Sequence, residues 1–361
     1  MGIKMTVKVK DKKKVIKIIL ISLVSFLLVF SIISMIVIKI IYDERFSRSD
    51  KPEYSGHIRY NDLEGYDRTL LQFESGKNTL SGYIYGETNN KGLVVIAHGL
   101  GGGAENYLAD TIYFVDQGWR VFSYDCTGSH ESEGKGTKGL PQSAIDLDAA
   151  LTFIEGNDTF NNLPVMLYGH SWGGYAVTAV LNYNHDIAAV ASIAGFNSPM
   201  ELLDEQAKNM MGFFAYIEYP YEWAYQTLLF GSKARVTAVD GINNTKTPVM
   251  IIHGDADDTI SYRGAGIIAH KDEITNPNVI YKTCSTENHN GHNNLFVSEA
   301  ASKYIDEANV EYEMIYDSYD GDIPDNIKAE YYEGIDKFKT SELDADFMGD
   351  INNFFERNIN N

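Results

Sequence analysis

Gly169-His170-Ser171-Trp172-Gly173 places a serine between two glycines, after an apolar run at 164–168 and before a helical stretch at 175–183. That spacing suits a nucleophile raised on a tight strand-to-helix turn, where side chains two residues either side would collide with backbone. A serine so placed attacks a carbonyl only with a general base to take its proton and donors to hold the oxyanion. Candidates for both lie elsewhere in the chain. Upstream, Ala97-His98-Gly99-Leu100-Gly101-Gly102-Gly103 closes an apolar run at 93–97. In this geometry one oxyanion donor is the N–H of the residue after the nucleophile, Trp172, and the other the N–H of Leu100. Downstream, His253-Gly254-Asp255-Ala256-Asp257-Asp258 offers three carboxylates to orient a base, and Asn288-His289-Asn290-Gly291-His292 offers two imidazoles.

The elements that must position these residues alternate. Runs at 93–97, 120–124, 165–168, 188–193, 249–252 and 279–282 read as buried strands, with helical periodicity between most of them, as at 142–155. Segments 69–73 and 80–85 read as a hairpin. The alternation predicts a mainly parallel sheet covered on both faces, with functional residues in loops at the C-terminal ends of the strands. Residues 199–246 break the rhythm as an insertion rich in Phe, Tyr and Trp. Its rings suit either a lid over an apolar acyl or aromatic group or simple packing onto the core.

The N-terminus has a different chemistry. Seven lysines from Lys4 to Lys17 precede the charge-free run 18–38, closed by Lys39. The run suffices to cross a hydrocarbon layer of roughly 30 Å at about 1.5 Å per residue. It exceeds the apolar part of a signal peptide and lacks a small-residue cleavage pattern, so it reads as an uncleaved anchor. Lysines before the run keep residues 1–17 cytoplasmic and the rest outside, a single-pass protein of the cell membrane. Residues 1–42 carry +7, leaving −27 of the overall −20 on the remainder. Such a surface repels phosphate backbones, so no nucleic-acid partner is expected. Two cysteines, Cys126 and Cys284, do not make a disulfide scaffold. Asp317, Asp320, Asp322 and Asp325 miss the calcium-loop spacing, and no metal is expected.

On His98-Gly99-x-Gly101, Gly128-Ser129-His130-Glu131-Ser132-Glu133-Gly134, Gly169-His170-Ser171-Trp172-Gly173-Gly174 and His253-Gly254-x-x-Asp257, the chain resembles the α/β-hydrolase superfamily. The resemblance is to its serine aminopeptidase and monoacylglycerol-lipase-like branch, over about residues 66–300. The order serine, aspartate, histidine agrees. The resemblance implies an eight-stranded, mostly parallel sheet, a lid at 199–246, an acyl-enzyme mechanism and no cofactor. It selects Asp257 among the aspartates and His292 over His289. Its strand order places Cys126 and Cys284 several strands apart, so both stay free. The expected organisation is a linker and lead-in at 39–65, a hydrolase domain at 66–361, an acidic helical extension at 297–340 that the family does not explain, and a terminal helix at 342–357 closing the sheet's edge. The expected function is cleavage of a carboxylic ester on a small-molecule or lipid-like acyl substrate. An aminopeptidase or amidase of the same mechanism, or a silent surface binding protein on the same fold, are the alternatives.

Overall fold

The computed structural model describes residues 9–359. Its first element, α1 (Val9–Arg45), is long and apolar enough to cross a membrane, with a mean hydropathy of 2.8 in its most apolar stretch. It continues beyond the charge-free run, and Lys4 and Lys8 lie outside the described residues.

A hairpin of β1 (Arg68–Ser75) and β2 (Asn78–Tyr85) opens the sheet, followed by β3 (Leu93–Ala97), β4 (Arg120–Tyr124), β5 (Val165–His170), β6 (Ala189–Ile193), β7 (Val249–Gly254) and β8 (Val279–Cys284). The eight strands lie in the order β1-β2-β4-β3-β5-β6-β7-β8. Only the β1–β2 and β2–β4 pairs are antiparallel. All five residues of β3 are buried because both faces of the sheet are covered. Leu93, Val95 and Ala97 enter one core cluster, while Val94 and Ile96 enter the other.

Helices α2 (Leu108–Asp116), α3 (Gln142–Glu155) and α4 (Trp172–Ala179) follow strands β3, β4 and β5. The insertion holds α5 (Pro199–Met211), α6 (Ala215–Phe230) and α7 (Ala238–Asn243). Of these, α7 packs on α4 so closely that a Cβ at Gly241 would meet the Thr178 carbonyl. The extension is also helical, as α8 (Glu299–Ser318), α9 (Asp325–Gly334) and α10 (Lys337–Thr340).

The terminal helix α11 (Ala345–Arg357) departs from expectation: it lies across a face of the sheet instead of closing its edge. Phe347, Met348, Ile351, Phe354 and Phe355 form one apolar stripe that buries against Phe114, Trp119, Tyr168 and Met250. Trp119 Nε1 donates to Asn352 Oδ1 at 2.8 Å, satisfying both groups inside that cluster. The expected linker is also packed structure. Arg48 donates to the carbonyls of Ser132 at 2.8 Å and Gly134 at 3.1 Å, and to that of His130, while Ser49 N–H donates to the Gly128 carbonyl at 2.9 Å.

Asp110 on α2 is buried and accepts a 2.5 Å bond from the Tyr168 hydroxyl. Burial pushes its carboxyl up from 3.8 to about 6, against the hydrogen bond from Tyr168. The folded state thus holds this proton more tightly than the unfolded chain, and Asp110 costs stability as pH rises from about 4 through 6. Asp110→Asn is expected to raise the unfolding midpoint at pH 7, by up to ~3 kcal/mol in stability, with the difference vanishing near pH 4. Urea denaturation at the two pH values measures it.

Candidate active site

Ser171 sits between β5 and α4 with φ 58° and ψ −116°, a left-handed conformation that side chains rarely adopt. Two glycines make the turn possible. A Cβ at Gly169 would strike the Gly173 carbonyl, and one at Gly173 would strike the Ala97 carbonyl. The turn is pinned by the Ser171 N–H donating to the Ile193 carbonyl at 2.8 Å. Ser171 is partly exposed at the floor of a cleft of about 930 Å³.

Above it, His292 Nε2 lies 2.9 Å from Ser171 Oγ and His292 Nδ1 lies 2.7 Å from Asp257 Oδ2. With Nδ1–H donating to the carboxylate, Nε2 is the nitrogen left to accept a hydrogen bond from the Ser171 hydroxyl. Asp257 is anchored by the N–H groups of Thr259 and Ile260, which donate to Oδ1 at 2.9 and 2.8 Å. Buried His253 brings Nε2 within 3.2 Å of Asp257 Oδ2 and 2.9 Å of the Ile260 carbonyl. Burial alone would raise the Asp257 pKa. The hydrogen bonds from His253 and His292, the His292 charge and the Ile260 N–H together outweigh it and hold the carboxyl well below its usual range. The competing aspartates turn elsewhere: Asp255 accepts from Asn290 at 2.8 Å and Asp258 from the Thr259 hydroxyl at 3.2 Å. His289 N–H closes a turn onto Thr286, and His292 is the histidine within hydrogen-bond distance of Ser171.

Trp172 opens α4, and Leu100 lies in the loop after β3, where Gly99 approaches the Ser171 Cβ. Among the described residues neither backbone N–H has a protein acceptor, and both residues line the cleft. Helix N-termini favour negative charge, so the Trp172 end of α4 suits a developing oxyanion. His98 shapes the same loop: Nδ1–H donates to the Gly99 carbonyl at 2.7 Å, and Nε2 accepts the Cys126 N–H at 2.9 Å.

A bonded path not visible in the motifs joins the two loops. Gly99 N–H donates to the Tyr107 hydroxyl at 3.1 Å, which in turn donates to His170 Nδ1 at 2.8 Å; His170 Nε2–H then donates to the His292 carbonyl at 2.9 Å. Burial lowers the His170 pKa to about 3, so the ring stays neutral and keeps this tautomer. His170 occupies a variable position of the serine motif, and Tyr107 follows Gly99 by one loop, so no spacing rule marks either one. Cys126 and Cys284 are both free.

Known proteins share this frame. An esterase of Pyrococcus furiosus superposes with a TM-score of 0.54 at 16% identity, over 87% of this chain and 99% of that one. The fold is that of the α/β-hydrolase superfamily. A second α/β-hydrolase, from Vibrio vulnificus, superposes with a TM-score of 0.52 at 16% identity, over 74% of this chain and 91% of that one. In sequence, residues 88–217 match the family described as Serine aminopeptidase, S33. The chain is also similar to the Quorum-quenching protein AidA of Acinetobacter baumannii (strain MDR-ZJ06), 30% identical over 151 residues. That match covers 39% of this chain and 50% of the relative, so the chain spans about half the relative's length.

Proposed function

We propose that the protein is a serine hydrolase that cleaves a carboxylic ester through an acyl-enzyme on Ser171. The observation that carries this reading is the unbroken chain Ser171 Oγ, His292, Asp257, at 2.9 and 2.7 Å, beneath two unengaged N–H groups. His292 Nε2 takes the Ser171 proton as Oγ attacks the carbonyl carbon. The N–H groups of Leu100 and Trp172 receive the oxyanion, each worth roughly 3–4 kcal/mol of barrier. Asp257 stabilises the imidazolium, which returns its proton to the departing alkoxide. Water, deprotonated by His292, then releases the acid.

Apolar side chains in the cleft, among them Leu140, Phe196, Leu202, Ile260 and Phe296, favour an acyl group as the recognised part of the substrate. Helices α5 and α6 act as its lid. The similar esterase from Pyrococcus furiosus agrees with the ester reading, and the serine aminopeptidase match keeps an amide as its competitor. A fluorophosphonate probe is expected to label the native protein and not Ser171→Ala. Labelling of both, or of neither while folded, overturns the hydrolase reading in favour of a binding protein on the same fold. Turnover of short- and long-chain esters against aminoacyl amides then ranks ester over amide. We further propose that α1 anchors the chain in the cell membrane, lysines cytoplasmic and the hydrolase domain outside.

A further inference from the structure

Helix α1 is bare on every side from residue 12 to 29. From there on one stripe is covered, with Ser34, Ile38, Tyr42 and Phe46 buried every fourth residue. The covering element is α6. Ser31 Oγ lies 3.0 Å from the Tyr221 hydroxyl, Ser34 donates to Glu218 at 3.1 Å, and Tyr42 donates to Gln226 at 3.1 Å. Glu218 and Tyr221 thus meet the lower part of the contact and Gln226 the upper, so α6 ascends alongside α1.

The bare charge-free stretch, 18–29, covers only about 18 Å at 1.5 Å per residue. A hydrocarbon layer needs roughly 30 Å. The shortfall of about 12 Å falls where α1 already carries α6 on its side. Segment 209–217, just below Glu218, has no charged residue and is open to solvent: Met210 is 75% exposed, Phe213 74%, Phe214 67% and Tyr216 62%. Phe213 and Phe214 precede Glu218, which meets Ser34, by about one turn, or about 6 Å along α6, a reach of the same order as the 5–10 Å of interfacial helices. Tyr219 and Trp223 follow higher on α6, where an interfacial belt of amphipathic rings belongs.

We propose that the α5–α6 turn is seated in the outer leaflet of the bilayer that α1 crosses, and that the cleft takes its acyl ester from that lipid surface. The membrane is the occupant because this exposed apolar turn leads directly into α6, whose Glu218 and Tyr221 meet α1 at Ser34 and Ser31, next to its bare stretch. Arg45, at the top of α1, lines the cleft and donates to Gln206 of α5 at 2.5 Å, so the cleft opens beside the anchor. The seat itself rests on α1 spanning the membrane; the substrate half rests in addition on the hydrolase reading.

The test uses the full chain in phosphatidylcholine–phosphatidylglycerol vesicles, in a Trp223→Phe background, with added tryptophans quenched by doxyl-labelled phosphatidylcholine. Phe214→Trp and Phe26→Trp are expected to lose fluorescence, whereas Leu70→Trp, exposed on β1, keeps it. Quenching of Phe26→Trp without Phe214→Trp overturns the seat and leaves the anchor standing; quenching of neither overturns both. The double variant Phe213→Asp, Phe214→Asp is expected to turn over a vesicle-dissolved long-chain ester about tenfold more slowly, with p-nitrophenyl acetate unaffected in solution. Equal rates on both esters, relative to the native chain, overturn the lipid-surface substrate. If no ester is turned over by any form while Phe214→Trp is quenched, the seat stands and the substrate half falls with the hydrolase reading.

Discussion

His292→Ala is expected to lower kcat on an activated ester by about 10⁶, whereas His289→Ala is expected to leave it essentially unchanged. Removing the base leaves Ser171 Oγ with its proton and nothing at 2.9 Å to receive it. The residual rate comes from the two N–H donors and from binding, which do not depend on the imidazole. His289 is the internal control, being in the same loop. Steady-state kinetics of both variants decide the assignment, and loss of turnover in His289→Ala with retention in His292→Ala reverses it.

Asp257→Asn is expected to cost about 10⁴ in kcat with little change in KM. Asparagine keeps an oxygen for the N–H groups of Thr259 and Ile260, so the loop holds its shape. Its amide nitrogen then faces His292 Nδ1 in place of the acceptor at 2.7 Å, which favours the tautomer with a hydrogen on Nε2. That tautomer cannot accept the serine proton. Because the carboxyl pKa is depressed in the fold, Asp257 stays ionised through the neutral range. Its contribution to stability is present above its ordinary value of 3.8 and is lost only as pH falls through the lower folded value. Asparagine has no carboxyl to ionise, so the deficit of Asp257→Asn is expected not to be recovered by raising pH, and a kcat profile between pH 6 and 9 checks this.

The sheet and the serine turn are the parts most open to reading from residues alone, because each rests on local rules. Short apolar runs, glycines two residues either side of Ser171 and the order of the strands all carry a backbone reason. Choosing among Asp255, Asp257 and Asp258 does not follow from local rules, since each is a carboxylate after β7. In the fold the N–H groups of Thr259 and Ile260 fix Asp257 toward His292, a matter of loop geometry. The Tyr107–His170 path is less visible still, because two side chains far apart in the sequence link the backbone of the Gly99 loop to that of the His292 loop. The placement of α11 fails for a related reason. Its apolar stripe says that a face is buried but not against what, and Trp119 with Phe114 supplies the partner.

Helix α1 reaches Arg45 unbroken, and the bonds of Arg48 and Ser49 to the 128–134 loop begin three residues later. Between them the Phe46 N–H donates to the Tyr42 carbonyl at 2.9 Å, and the Thr137 N–H donates to the Phe46 carbonyl at 2.9 Å. The axis of α1 and the direction in which the cleft faces therefore move as one body. Under the proposed insertion of α1 in a bilayer, the angle at which Ser171 is presented to its surroundings follows the angle of the anchor, with no ligand involved.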